Sequence, residues 1–172
     1  MNCRNSRVLA EQQPANSMKI LICSLGSHGD VHPYLALGQE LSLRGHAVTF
    51  ATSSHYRELI ERHGIAFTPI RPEAPLDDRA VMARVMDARR GPETVIKDLV
   101  MPALRDTYQD LVKPAAQADL LISHVLTYAV PILAEKLGKP WASTVLSPMV
   151  FFSAHDVPVL APLPMLAKLR VL

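Results

Sequence analysis

Residues 26 to 33 read Gly-Ser-His-Gly-Asp-Val-His-Pro, a carboxylate set between two imidazoles in a glycine-bearing turn. A carboxylate or an imidazole can take a proton from a hydroxyl group if it is held within about 3 Å of it. Gly26 and Gly29 allow a tight turn and a close backbone approach to a ligand. A plainer reading stands beside this one, because an aspartate just ahead of a helix is often only a cap. His28, Asp30 and His32 alternate in a loop and lack a fourth ligand, so no metal is expected there. A dinucleotide is disfavoured as well. Its fingerprint needs G-x-G-x-x-G, then an acid at the end of the second strand. Here the glycines are spaced G-x-x-G, and Phe50-Ala51-Thr52-Ser53-Ser54 carries no acid.

Positioning such a turn requires a strand before it and a helix after it. Residues 19 to 25 are a continuous apolar run, as in a strand covered on both faces. Pro33 is expected to open the following helix, where its fixed φ and missing N–H cost nothing. Tyr34, Leu37, Gly38 and Leu41 would form its buried face, and Gly45 its stop. A second strand is read at 47–52. A helix capped by Ser53 or Ser54 and stopped by Gly64 follows, then a third strand at 65–70.

Beyond a proline-bearing loop come helices at about 78–90 and 92–111, the latter kinked or broken at Pro102. A strand at 119–123, a helix at 127–137 and a strand at 141–146, with Trp141 in the core, complete the pattern. Alternating strands and helices with short glycine turns define an α/β, Rossmann-like parallel sheet flanked by helices. Ligands bind such sheets at the carboxyl ends of the strands, where residues 26 to 33 lie. The helix after that turn also points free N–H groups and a positive dipole end at the same place.

The 172 residues carry a net charge of +2, with basic residues scattered singly apart from Arg89-Arg90, so nucleic acid is not an expected partner. Cys3 and Cys23 make no disulfide framework, and Cys23 is read as a reduced core thiol. The apolar stretches are broken by polar residues and prolines, and no secretory h-region follows the N-terminal arginines. Residues 1–17 are read as a disordered extension and the compartment as cytoplasmic. The chain stops at Leu172 in what resembles the first turns of a helix (166–172), which suggests truncation.

The run MKILICSLGSHGDVHPYLALGQELSLRGHAVTFATSSHYRELIERHGIAFTPI resembles the N-terminal domain of GT-B glycosyltransferases of the family 28 and family 1 type. Sterol glucosyltransferases and rhamnosyltransferases belong to that group. The later segment LAEKLGKPWASTVLSPMVFFSAHDVP resembles the family's fifth strand and following loop, so the likeness covers roughly residues 18–165.

The resemblance implies the acceptor-binding half of a hexosyltransferase working by inverting displacement. No permanently bound cofactor is implied; a UDP- or dTDP-sugar would be held mainly by a C-terminal domain or partner chain absent from these residues. It implies Asp30 as the base, with His28 and His32 as alternatives. Relatives with a histidine base pair it to an aspartate after the fourth strand. His124 stands there in this sequence, so a reversed Asp30–His124 contact is the form open to it. Gly26, Ser27, His28, Gly29, His32, Ser147, Phe151, Phe152 and His155 would surround a small apolar acceptor such as a lipid or sterol, with peripheral membrane contact compatible with that. Packing of Phe151 and Phe152 against the second domain is the other reading. A non-catalytic partner subunit of a two-chain enzyme is the alternative function.

Overall fold

The computed structural model describes residues 17–73 and 78–147. Strands β1 (Lys19–Cys23), β2 (Ala47–Thr52), β3 (Ala66–Pro69), β4 (Leu120–His124) and β5 (Trp141–Thr144) form one sheet in the order β3-β2-β1-β4-β5. Every pairing is parallel, with Ile22 opposite both Phe50 and Ile122. Strand order reverses beside β1, so the turn after β1 lies at the switch point of the sheet, where open α/β folds place their ligands.

The unbroken apolar run of β1 is explained by its two covered faces. Ile20 and Ile22 face one core with Val48, Phe50 and residues of helices α1 (His28–Leu43) and α2 (Arg57–Arg62). Leu21 and Cys23 face the other, with Leu111 and Ala115 of α5 (Met101–Gln117) and Leu133 of α6 (Ala129–Leu137). Cys23 is fully buried and unpaired, as expected of a core thiol.

Four expectations are corrected. Helix α1 starts at His28, so His28 to Pro33 are helical and Pro33 lies inside the first turns. Ser27 is the N-cap, and Asp30 reaches back to it from the third helical position. The buried stripe of α1 is Val31, Tyr34, Leu35 and Gly38, while Leu37 is exposed. Neither Ser53 nor Ser54 caps α2 through its side chain; a single 3-10 turn, Ser54–Tyr56, precedes that helix. Trp141 is 42% exposed on β5, its Nε1 donating to Ser123 Oγ at 2.7 Å. Ser17, read as part of the N-terminal extension, donates from Oγ to the Gly45 carbonyl; residues 1–16 lie outside the described residues.

Pro102 acts as expected, with an added detail. Helices α3 (Arg79–Val85) and α4 (Gly91–Thr94) lead into a π-helical turn at Val95–Val100, immediately before α5. A proline has no N–H to offer the carbonyl four residues earlier and its ring crowds that group. The turn ahead of Pro102 therefore widens, and such π-bulges are frequent at functional sites.

Candidate functional site

Asp30 is fixed from two sides. Its Oδ2 accepts from the Ser27 backbone N–H at 2.7 Å and from Ser27 Oγ at 2.9 Å. Its Oδ1 lies 3.7 Å from His124 Nε2, beyond hydrogen-bond length. Gly26, at φ +136°, makes this placement sterically feasible: a Cβ on it would lie 2.2 Å from Asp30 Oδ2. The Tyr56 hydroxyl donates to the Gly26 carbonyl at 3.2 Å and steadies the turn.

His124 ends β4 and is 6% exposed, whereas the Asp30 side chain is 32% exposed. Burial pushes the His124 imidazole below its usual pKa, against the opposing pull of the Asp30 charge and a backbone contact with Leu25. The ring is therefore neutral near pH 7. The buried Nδ1 has no hydrogen-bond partner among the described residues. Tyr34 packs edge-on against the ring, with centroids 5.8 Å apart. Its hydroxyl lies 2.6 Å from Thr144 Oγ1, which in turn donates to the Ser123 carbonyl at 2.8 Å. Helix α1 and strands β4 and β5 are thus joined directly behind His124.

An apolar cavity of about 210 Å³ opens beside Asp30. Leu25, Gly26, Ser27 and Asp30 form one wall, and Met82, Val85, Val95, Leu99 and Val100 from α3 and the π-helical turn form the other. Arg84 and Asp98 pair across those two elements. Among the described residues, Asp30 and Glu73 are the charged ones lining the cavity.

Gly26, Ser27, Asp30 and His124 are brought together as the sequence suggested. His28 and His32 are not. They project from the opposite side of α1, His28 Nδ1 to His32 Nε2 at 3.2 Å, with His28 packed near His55 and Tyr56, and neither lines the cavity. Gly29 is exposed on the first turn, and Ser147 lies three residues beyond β5. Phe151, Phe152 and His155 lie outside the described residues. Sequence reasoning missed Glu73, Ser53 and the hydrophobic wall. The first two sit at or just past the carboxyl ends of β3 and β2, which was the available signal.

The chain matches the glycosyltransferase family 28 N-terminal domain over residues 20–151. It belongs to that family. Similar proteins include the sterol 3-beta-glucosyltransferase of Saccharomyces cerevisiae strain YJM789, 45% identical over 58 residues, covering 34% of this chain and 5% of the yeast protein. That of Pichia angusta is 28% identical over 137 residues, covering 75% of this chain and 10% of its relative. Among solved structures, the calicheamicin glycosyltransferase CalG4 superposes with a TM-score of 0.62 at 19% identity, over 91% of this chain and 43% of that one. SsfS6 of Streptomyces sp. SF2575, complexed with thymidine diphosphate, gives 0.58 at 20% identity over 74% and 38%. These likenesses establish the Rossmann-like N-terminal half of a GT-B fold. The family 28 domain described here spans a tenth or less of those two sterol glucosyltransferases and under half of the two solved chains. No helix among the described residues is long and apolar enough to cross a membrane.

Proposed function

We propose that this domain binds the acceptor of an inverting glycosyltransferase and supplies its general base, Asp30. The observation that carries the reading is the placement of a part-exposed carboxylate at the mouth of an apolar cavity, at the switch point of the sheet. The acceptor hydroxyl gives its proton to Asp30 Oδ1 while its oxygen attacks the anomeric carbon. The nucleotide diphosphate leaves from the opposite face, so the configuration inverts. His124 is too buried to meet the acceptor and serves as a positioning residue, its ring held by Tyr34 behind the carboxylate.

The walls favour an apolar alcohol, a lipid or a sterol, in keeping with the sterol glucosyltransferases among the relatives. A dTDP- or UDP-sugar is the donor in this reading, bound mainly by a second domain outside these 172 residues. Related structures that hold thymidine diphosphate support the nucleotide class.

In a polypeptide joining this domain to its donor half, Asp30→Asn should cut kcat by about 100- to 10,000-fold. Its melting temperature should stay close to the parent's, because the amide oxygen still accepts from Ser27. The product anomer, read by NMR, should be opposite to that of the donor. Near-normal turnover in Asp30→Asn would remove Asp30 from the role, and a retained anomer would remove the displacement mechanism.

A further inference from the structure

The second charged residue of the cavity is Glu73. It lies on the segment after β3, anchored to α5 by Arg71, whose guanidinium grips both oxygens of Asp110 at 3.0 and 2.7 Å. Thr107 Oγ1 also donates to the Arg71 carbonyl. Ser53 Oγ and the Ser54 backbone N–H both donate to the same Glu73 oxygen, Oε2, at 2.7 and 2.8 Å. The other oxygen, Oε1, has no hydrogen-bond partner among the described residues. Burial acts to raise the Glu73 pKa, but the bonds from Ser53 and Ser54 outweigh it, and the group is held below its ordinary value. The ionised Glu73 side chain, itself exposed to solvent, therefore lines a space whose walls are otherwise mainly apolar.

Asp30 follows β1 and Glu73 follows β3, with β2 between them. Both side chains line the same cavity. We infer that Glu73 is a specificity-determining residue that accepts a hydrogen bond from a second donor group on the acceptor, apart from the hydroxyl presented to Asp30. The favoured acceptor is then an apolar skeleton with two separate hydrogen-bond donors, rather than an alcohol with a single polar head. This inference rests on the acceptor reading of the cavity and deepens it.

Glu73→Gln separates recognition from structure. The glutamine oxygen can replace Oε2 as the acceptor for Ser53 and Ser54, while its NH2 replaces the free Oε1 with a donor. The probes are a steroid diol with a hydroxyl at each end of the ring system, and the same steroid with the far hydroxyl oxidised to a ketone. Binding of each to the 172-residue chain is measured by calorimetry, and thermal melting is recorded alongside.

The parent should prefer the diol by about tenfold or more, as expected for a hydrogen bond to a charged group. Glu73→Gln should melt with the parent and reverse the preference toward the ketone. Equal binding of both steroids by both proteins would overturn the role of Glu73 while leaving the acceptor cavity standing. Loss of both ligands in step with a lowered melting temperature would show Glu73 to be structural only and would also overturn it. Failure of the parent to bind either steroid would overturn the acceptor reading and this inference with it.

Discussion

Asp30 Oδ1 and His124 Nε2 face each other at 3.7 Å, the carboxylate part-exposed at the cavity and the imidazole sealed behind it. The pairing joins the helix after β1 to the end of β4. It also reverses the polarity expected of a histidine base oriented by an aspartate, because here the buried partner is the imidazole.

That burial makes stability depend on pH in a defined direction. The folded His124 pKa lies below its ordinary value of 6.5, so the unfolded chain takes up a proton that the folded chain refuses. The contribution is full above about 6.5 and is lost as the pH falls from there through the depressed folded value. Glu73 and Asp110, also held below their ordinary values, lose theirs only in the lower carboxylate range. Urea unfolding between about pH 8 and about pH 5 should therefore show stability falling on the acid side. His124→Gln should flatten that slope; an unchanged slope would mean another group carries it.

Gly26→Ala should be more damaging than Gly64→Ala. Both glycines have positive φ, so each substitution costs on the order of 1–3 kcal/mol of backbone strain. A Cβ at Gly64 meets nothing within 4 Å, whereas one at Gly26 strikes the Asp30 carboxylate. Denaturant melts should show both variants destabilised, Gly26→Ala the more. Only Gly26→Ala should abolish transfer in the two-domain enzyme. Matching activities for the two variants would contradict the steric link between Gly26 and Asp30.

The Cys23 thiol should be inert in the folded protein. It is fully buried in the core, and burial raises its pKa far above the ordinary thiol value, so little thiolate forms. In a Cys3→Ser background, a disulfide reagent such as Ellman's should react only after urea unfolding. Rapid labelling of the native chain would show that the β1 core opens far more readily than its packing implies.

Much of this architecture is legible in the sequence because it is set by local and periodic signals. An apolar run without alternation, as at Ile20 to Cys23, needs cover on both faces. Glycine stops such as Gly45 and Gly64 mark the ends of α1 and α2, so the order of strands and helices could be read directly. Proline at 102 announced a disturbed helix, since the missing N–H acts on its own chain segment. The family motifs placed the Gly26–Ser27 turn just after β1, with Asp30 close behind it.

Tertiary structure decided the rest, since the remaining relationships join residues far apart in the chain. His28 and His32 flank Asp30 in sequence, yet helical geometry turns them to the other side of α1, because the helix begins at His28 rather than at Pro33. His124 lies ninety-four positions beyond Asp30, and only the parallel pairing of β1 with β4 brings it within reach. Glu73 carries no motif at all. It enters the cavity because β2 sets Ser53 and Ser54 beside it and because Arg71 ties its segment to Asp110. The sequence determined the glycine turn after β1 and the carboxylate beside it, and the packing of strands across the sheet determined which side chains stand around it.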